Sequence, residues 1–227
     1  MKQNKIRSQS RSVATKNKLL EVAIEAFANK GYDGVGTREI ADRAAVNLGA
    51  IRYHFGDKAG LYHAAIQHVA EFIRDRVMSP FVGEIRSRVD RKGISRAELT
   101  DALFHLVTRF ASHLLGPGVD NSWTRLVIRE QTNPTASYDM IYNAQRLVIE
   151  AAALIVGKIR GQSPESEDVR IRTVSLLGQV VVFRTAPATT LRAIGWKKFG
   201  PKEVSALQSI VEQHCRAIVM SGSKSHR

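Results

Sequence analysis

Apolar positions recur at helical spacing along most of the chain. Leu20, Ala23, Ile24 and Phe27 stand at i, i+3, i+4 and i+7, which predicts a helix from about Thr15 to Lys30 stopped by Gly31. Ile40, Ala41 and Ala44 predict a short second helix. Thr37 opens it with a capping hydroxyl, and Glu39 sits in the first turn, where the helix dipole favours a carboxylate. Ala45–Val46–Asn47 turns the chain. Asn47 then caps a third helix, Leu48–Phe55, that faces Ile51 and Phe55 inward. Asp57 caps a fourth, predicted to run to about Met78 through Leu61, Ala65, Val69, Phe72 and Ile73 and to end at Ser79–Pro80.

The pattern continues beyond. Phe81–Val89 predicts a short helix broken by Arg91–Lys92–Gly93. Ser95 and Glu98 have the spacing of a capping box, and open a helix carrying Leu99, Leu103, Leu106, Val107, Phe110 and Leu114, closed by Gly116–Pro117–Gly118. Trp123–Gln131, Tyr138–Arg160, Glu165–Ala186 and Lys202–Met220 read as further helices, the last two separated by a linker from Pro187 to Pro201. No stretch alternates as a strand does, so the expected fold is all-α. It should hold a disordered basic arm (1–14), a three-helix head (15–76), a larger helical domain (77–220) and a flexible tail (221–227).

Two short helices joined by a tight turn form a helix-turn-helix, whose second helix enters the major groove of DNA. That helix leaves Gly49, Ala50, Arg52, Tyr53 and His54 facing outward. Arg52 either donates to guanine O6 and N7 or meets a phosphate. Leu48 and Ala50 either touch thymine methyls or fill space, and Gly49 allows close backbone approach or is merely tolerated. Tyr53 and His54 suit phosphate, with His54 alternatively a plain surface residue. Thr37 and Arg38 lie where hydroxyl, guanidinium and helix N–H groups can meet phosphate.

Charge sharpens this picture. The 227 residues carry 34 Lys and Arg against 21 Asp and Glu, a net charge of +13. Lys2, Lys5, Arg7, Arg11, Lys16 and Lys18 all precede the first acid, Glu21, and such a tail suits a polyanion. No apolar run approaches the ~20 residues that span a bilayer, and the basic N-terminus lacks the apolar core of a secretory signal. One cysteine, Cys215, excludes an internal disulfide or multi-cysteine zinc site; it reads as a small buried hydrophobe or a redox sensor. His63 and His68, and His105 and His113, lack metal-ligand spacing. No nucleophile–base arrangement, phosphate loop or dinucleotide fingerprint is present, so no catalytic site, metal or cofactor is expected.

The segment TREIADRAAVNLGAIRYHFGDKAGL resembles the tetracycline-repressor (TetR) family of bacterial regulators through Thr37, Ile40, Ala41, Tyr53, Phe55, Lys58 and Leu61. The preceding LLEVAIEAFANKGYDGVG is similar to that family's first helix. Asn47–Leu48–Gly49 departs from the pattern, since many members carry Ser followed by a polar or basic residue there. The resemblance implies that Lys58 clamps a phosphate. LVIREQTNPTASYDMIY, RGQSPES and LLGQVVVFRTAPATTLRAIGW resemble a CerR-type C-terminal domain found on a subset of these regulators. That resemblance implies a small-molecule effector pocket among the middle helices and a homodimer through the last two. Candidate pocket residues are Phe104, His105, Trp123, Arg129, Tyr138, Phe183 and Arg184. Core packing is the alternative for the apolar ones, and a surface pair with Glu130 for Arg129.

The expectation is a ligand-responsive, dimeric regulator that binds a double-stranded operator. It would act in the bacterial cytoplasm, on the nucleoid when bound to DNA and away from any membrane, as a repressor released from a palindromic site by a small molecule. Two rivals remain open at this point. One is a sequence-tolerant architectural DNA binder, and the other a helical small-molecule-binding protein with no DNA role.

Overall fold

The structure, a computed structural model, describes residues 2–116 and 121–220. Every element among them is helical: α1 (Lys2–Lys30), α2 (Thr37–Arg43), α3 (Gly49–Phe55), α4 (Lys58–Phe72), a π-helix (Ile73–Met78), α5 (Ser79–Val89), α6 (Arg96–Leu115), α7 (Asn121–Thr132), α8 (Tyr138–Arg160), α9 (Glu167–Thr185), α10 (Pro187–Ile194) and α11 (Pro201–Met220). The tail expected at 221–227 and residues Pro117 and Gly118 of the predicted stop lie outside the described residues. Two compact units form, one from Met1–Phe72 with Asp120–Ala144, the other from Ile73–Val119 with Gln145–Arg227.

In the first unit α1 begins at Lys2, which corrects the disordered arm expected over residues 1–14. No Gly or Pro falls between Lys2 and Lys30, and the Lys, Arg and Gln of this stretch favour helix. The turns anchored by buried Leu19, Ile24 and Phe27 supply the nucleus, after which each added residue gains a hydrogen bond. Gly31 stops α1 at φ +78°, a conformation with little cost only for glycine, and its N–H donates to Phe27 O at 2.8 Å. The cap of α2 also differs from expectation. Gly36 holds the extended N-cap conformation, so Thr37 is the first helical residue and its side chain makes no capping bond.

The turn between α2 and α3 rests on Ala45 at φ +50°, the left-handed region where a small side chain is strained least. Helix α3 starts one residue later than predicted, and Asn47 Oδ1 accepts from Gly49 N–H at 2.7 Å. Asp57 Oδ1 likewise accepts from Gly60 N–H at 2.8 Å at the head of α4. Lys30–Glu39 at 2.7 Å and Arg43–Glu25 at 2.8 Å tie α2 to α1; both are solvent-exposed pairs that contribute little stability. Helix α1 packs against α4 and α7. Leu126 and Ile141 are fully buried, as are Ile40, Leu61 and Ile66 of the helix-turn-helix and α4. Residues 120–144 therefore pack in one compact unit with residues 1–72, a division that differs from the single boundary expected at 76/77.

In the second unit Ser79–Pro80 does not stop the chain's helical course. A π-helix replaces α-helix from Ile73, and α5 follows at once with Pro80 in its first turn, where a missing N–H has little cost. The capping box on α6 forms as predicted: Glu98 N–H donates to Ser95 Oγ and the Glu98 carboxylate accepts from Ser95 N–H. Helix α6 packs on α5, α9 and α11 around Phe81, Ile85, Leu103, Leu106, Leu176 and Val211. Helix α10 occupies part of the expected Pro187–Pro201 linker, because a proline at the first helical position starts a helix as readily as it ends one. Helix α8 has the length and apolar composition of a membrane span, in contrast to the reading above. Half of that stretch is buried inside the protein, as in the core helix of a folded domain. Cys215 is fully buried in this unit's core, and burial, with Glu212 nearby, pushes its thiol up to about 12. The reactive thiolate is thereby disfavoured, so of the two readings above the small buried hydrophobe is the better fit.

Candidate DNA-binding site

Helix α3 presents a mixed apolar and cationic surface. Arg52 is exposed, Tyr53 is 81% exposed and Leu48 42%, and Gly49 is open to solvent. Ala50 and His54 are half-buried. The Tyr53 and His54 rings meet edge-on at 4.8 Å, and His54 leans on Phe55 at 6.0 Å, so packing limits the directions in which His54 can turn. Asn47 is exposed, but its carboxamide oxygen is committed to Gly49 N–H, leaving the side-chain nitrogen as the group able to face DNA. A Cβ at Gly49 would stand 3.1 Å from Asn47 Oδ1, so the glycine makes room for that cap. Thr37 is half-buried and Arg38 exposed in the first turn of α2, beside N–H groups that have no intrahelical acceptor.

Lys58 lies at the start of α4 with its Nζ 4.6 Å from the centroid of the Tyr32 ring. Tyr32 meets the edge of Tyr62 at 5.1 Å, and Tyr62 meets Phe27 at 4.9 Å. The Tyr62 hydroxyl donates to Glu130 Oε1 at 2.5 Å. Glu130, on α7, is completely buried and also accepts from Thr135 N–H at 3.2 Å and Thr135 Oγ1 at 3.0 Å. Burial and the Glu130 carboxylate push the Tyr62 phenol well above its usual range, so the hydroxyl stays a donor. None of Tyr32, Tyr62, Glu130 and Thr135 is among the sequence candidates. Tyr62 and Glu130 are 68 residues apart, beyond the reach of local pattern. One signal was available: Glu130 lies four residues after Leu126, on the face that α7 buries.

The candidate effector residues divide between the two units. Trp123, Arg129 and Tyr138 lie in the first, Phe104, His105, Phe183 and Arg184 in the second. Trp123 meets Phe72 at 4.8 Å and His68 at 5.6 Å, while Tyr138 stacks on Tyr142 at 6.4 Å. Arg129 is not a surface partner of Glu130. Adjacent helical residues point apart, and Arg129 donates to Ala28 O at 2.9 Å and Asn29 O at 3.1 Å, carbonyls that the end of α1 leaves over. In the second unit His105 is half-buried with Nε2 sealed from solvent and lacking a hydrogen-bond partner among the described residues. Phe183 packs with Trp196 at 6.5 Å and Phe199 at 6.1 Å, and Arg184 is half-buried in the last turn of α9. Among the described residues no three His, Cys, Asp or Glu side chains cluster as metal ligands.

Comparison with known proteins bears on the whole chain. Residues 19–65 match the family model described as bacterial regulatory proteins of the tetR family. Residues 99–221 match that of the C-terminal domain of the HTH-type transcriptional dual regulator CecR, the name that replaces the CerR label used above. The CecR regulator of Shigella flexneri is 25% identical over 92% of this chain and 93% of its own. Among solved structures, the hemolysin II transcriptional regulator HlyIIR aligns at a TM-score of 0.59 and 18% identity, covering 88% of this chain and 97% of that one. The transcriptional regulator FadR of Bacillus subtilis, solved with stearoyl-CoA, aligns at 0.53 and 19% identity over 91% and 98%. At those identities the two structures show a shared fold. TetR-family proteins are transcription regulators rather than enzymes; they bind DNA, act as dimers and bind small molecules. Matched by the tetR model at its helix-turn-helix and by the CecR model over more than half its length, this chain belongs to the TetR family of transcription regulators, with a CecR-type C-terminal domain.

Proposed function

We propose that this regulator is a two-fold dimer that represses transcription from a palindromic operator and is released by a small-molecule effector. The exposed face of α3 carries the reading. Its Arg52 and Tyr53 side chains stand in solvent, while Ile51 on the opposite side fastens the helix to the core. In this reading α3 enters the major groove, where Arg52 reads a base and Leu48 and Ala50 touch thymine methyls. Thr37, Arg38, Tyr53, His54 and Lys58 hold phosphates, and Asn47 sets the start of the recognition helix. The dimer forms through α9 and α11. Ile171, Val174 and Val182 run down one side of α9, each at least 43% exposed, and Ile210 of α11 is 48% exposed. The effector is taken up by the second unit, where the sealed Nε2 of His105 offers an unmet polar contact. It must bind the DNA-incompetent state more tightly than the competent one, since equal affinity for both would shift nothing. The protein works in the cytoplasm, on the nucleoid when bound.

Footprinting on DNA flanking the gene tests this. Two recognition helices of a dimer lie about 34–36 Å apart, one helical turn, or a multiple of it. Protection should fall in two symmetrical half-sites, and scattered, unsymmetrical protection would rule the dimeric reading out. A sequence-tolerant architectural binder would give that scattered pattern.

The basic N-terminal turns of α1 should add affinity without specificity. Each neutralised phosphate contributes about −0.9 to the slope of log K against log salt. Removing residues 1–12, which takes away Lys2, Lys5, Arg7 and Arg11, should flatten that slope in anisotropy titrations. An unchanged slope would leave this end of α1 in solvent.

A further inference from the structure

We infer that Glu130 and Tyr62 are positioning residues for DNA binding: α7 sets the Lys58 phosphate contact through the chain Glu130–Tyr62–Tyr32–Lys58. The inference rests on the reading of Lys58 as a phosphate clamp. A lysine on the surface samples many rotamers, and holding its ammonium in one place costs side-chain entropy. Here the ammonium rests on the face of Tyr32, 4.6 Å from the ring centroid, which favours one position over the others. The Tyr32 ring is in turn held edge-on by Tyr62, at 5.1 Å and 80°. Phe27 packs on both tyrosines, edge-on to Tyr62 and stacked on Tyr32 at 6.2 Å, so the rings form one block. The hydroxyl of Tyr62 is fixed by a buried carboxylate from a helix that lies 68 residues further along the chain.

That helix is itself fastened to the head. Arg129 donates to Ala28 O and Asn29 O, and Arg125 Nη2 donates to Asn29 Oδ1 at 2.9 Å. Gly31 allows this approach, because a Cβ there would stand 3.1 Å from Arg129 Nη1. On the other side His63 Nδ1 and Ser137 Oγ are 3.1 Å apart, joining α4 to the turn after α7. Thr135 completes the set, accepting from Ser137 N–H at 3.1 Å while it donates to Glu130. Helix α7 falls within the stretch matched by the C-terminal family model, yet all of these contacts lie within the head unit. A displacement of α7 withdraws the carboxylate from Tyr62, loosens the block and frees Lys58 from its place. DNA affinity then falls without any change in α3.

The test is a double-mutant cycle on a fluorescein-labelled duplex of mixed sequence, since a phosphate clamp acts on any sequence. Anisotropy is read between about 50 and 200 mM salt. Lys58→Ala should lower the magnitude of the salt slope by about 0.9 per chain bound. Tyr62→Phe keeps the ring and removes only the hydroxyl, and should weaken binding about two- to five-fold, the scale of an exposed cation–π contact. In the Lys58→Ala background the same change should have no effect. Glu130→Ala should behave as Tyr62→Phe does, while Glu130→Gln, which keeps an acceptor for the hydroxyl, should restore affinity. Helical content and thermal midpoint are measured for each variant. If Tyr62→Phe leaves binding unchanged, or weakens it equally in both backgrounds, the relay is wrong and the clamp stands. If Lys58→Ala leaves the salt slope unchanged, the clamp reading itself fails and the relay falls with it.

Discussion

Replacing Phe27 by Ala should lower the stability of the protein by about 3–5 kcal/mol, the usual cost of removing a fully buried aromatic ring. Phe27 has no exposed surface. It meets Tyr62 edge-on and stacks on Tyr32, near the C-terminal end of α1. The loss has two parts, the transfer of the ring's apolar surface and the cavity left beside the Tyr32 and Tyr62 rings, which close only partly. Urea denaturation followed by circular dichroism measures it. Leu48→Ala is the control, since Leu48, at the N-cap of α3, is 42% exposed and its truncation should change stability by less than about 0.5 kcal/mol. A loss for Phe27→Ala no greater than that of Leu48→Ala would mean that the first unit is not held together as described.

Arg52→Ala should cost about 1–3 kcal/mol in operator binding and relax preference at one base pair in each half-site. Arg52 stands exposed on α3, three residues beyond Gly49 on the side that Ile51 does not occupy. A guanidinium can meet guanine O6 and N7 with two parallel donors, a geometry that no other base edge in the major groove offers it. Competition binding with every single-base variant of one half-site gives the measurement. Equal weakening on cognate and random DNA would move Arg52 to the phosphates. The effect should be separable from stability, because an exposed arginine with no core contact contributes little to folding.

Local features of the sequence were read correctly where local physics decides them. The capping box at Ser95 and Glu98, the stop at Gly31, the turn at Ala45–Val46–Asn47 and the span of α8 all depend on neighbours within a few positions. The errors share a cause of another kind. Pro80 and Pro187 were expected to end helices, yet each sits in a first turn, and only the chain around it decides between the two roles. The N-terminal turns of α1 were expected to be disordered because of their charge, whereas a helix already nucleated further along extends through them. Among the DNA-facing candidates, exposure agrees with pattern for Arg52, Tyr53 and Leu48. The aromatic block behind Lys58, and the carboxylate that fixes it, depend on a contact spanning 68 residues that no window could contain.

The return of residues 120–144 to the head unit bears on how this protein can be cut and recombined. A chimera that joins residues 1–76 to another sensor would strip α1 of its packing against α7, of the Arg129 donor to its final carbonyls and of the Arg125 bond to the Asn29 side chain, and would take from Tyr62 of α4 its acceptor. The graft would expose an apolar flank on α1 and leave a buried phenol without its partner. The portable DNA-binding module is therefore discontinuous in sequence, and a new sensor has to be spliced in at two places, on either side of α7.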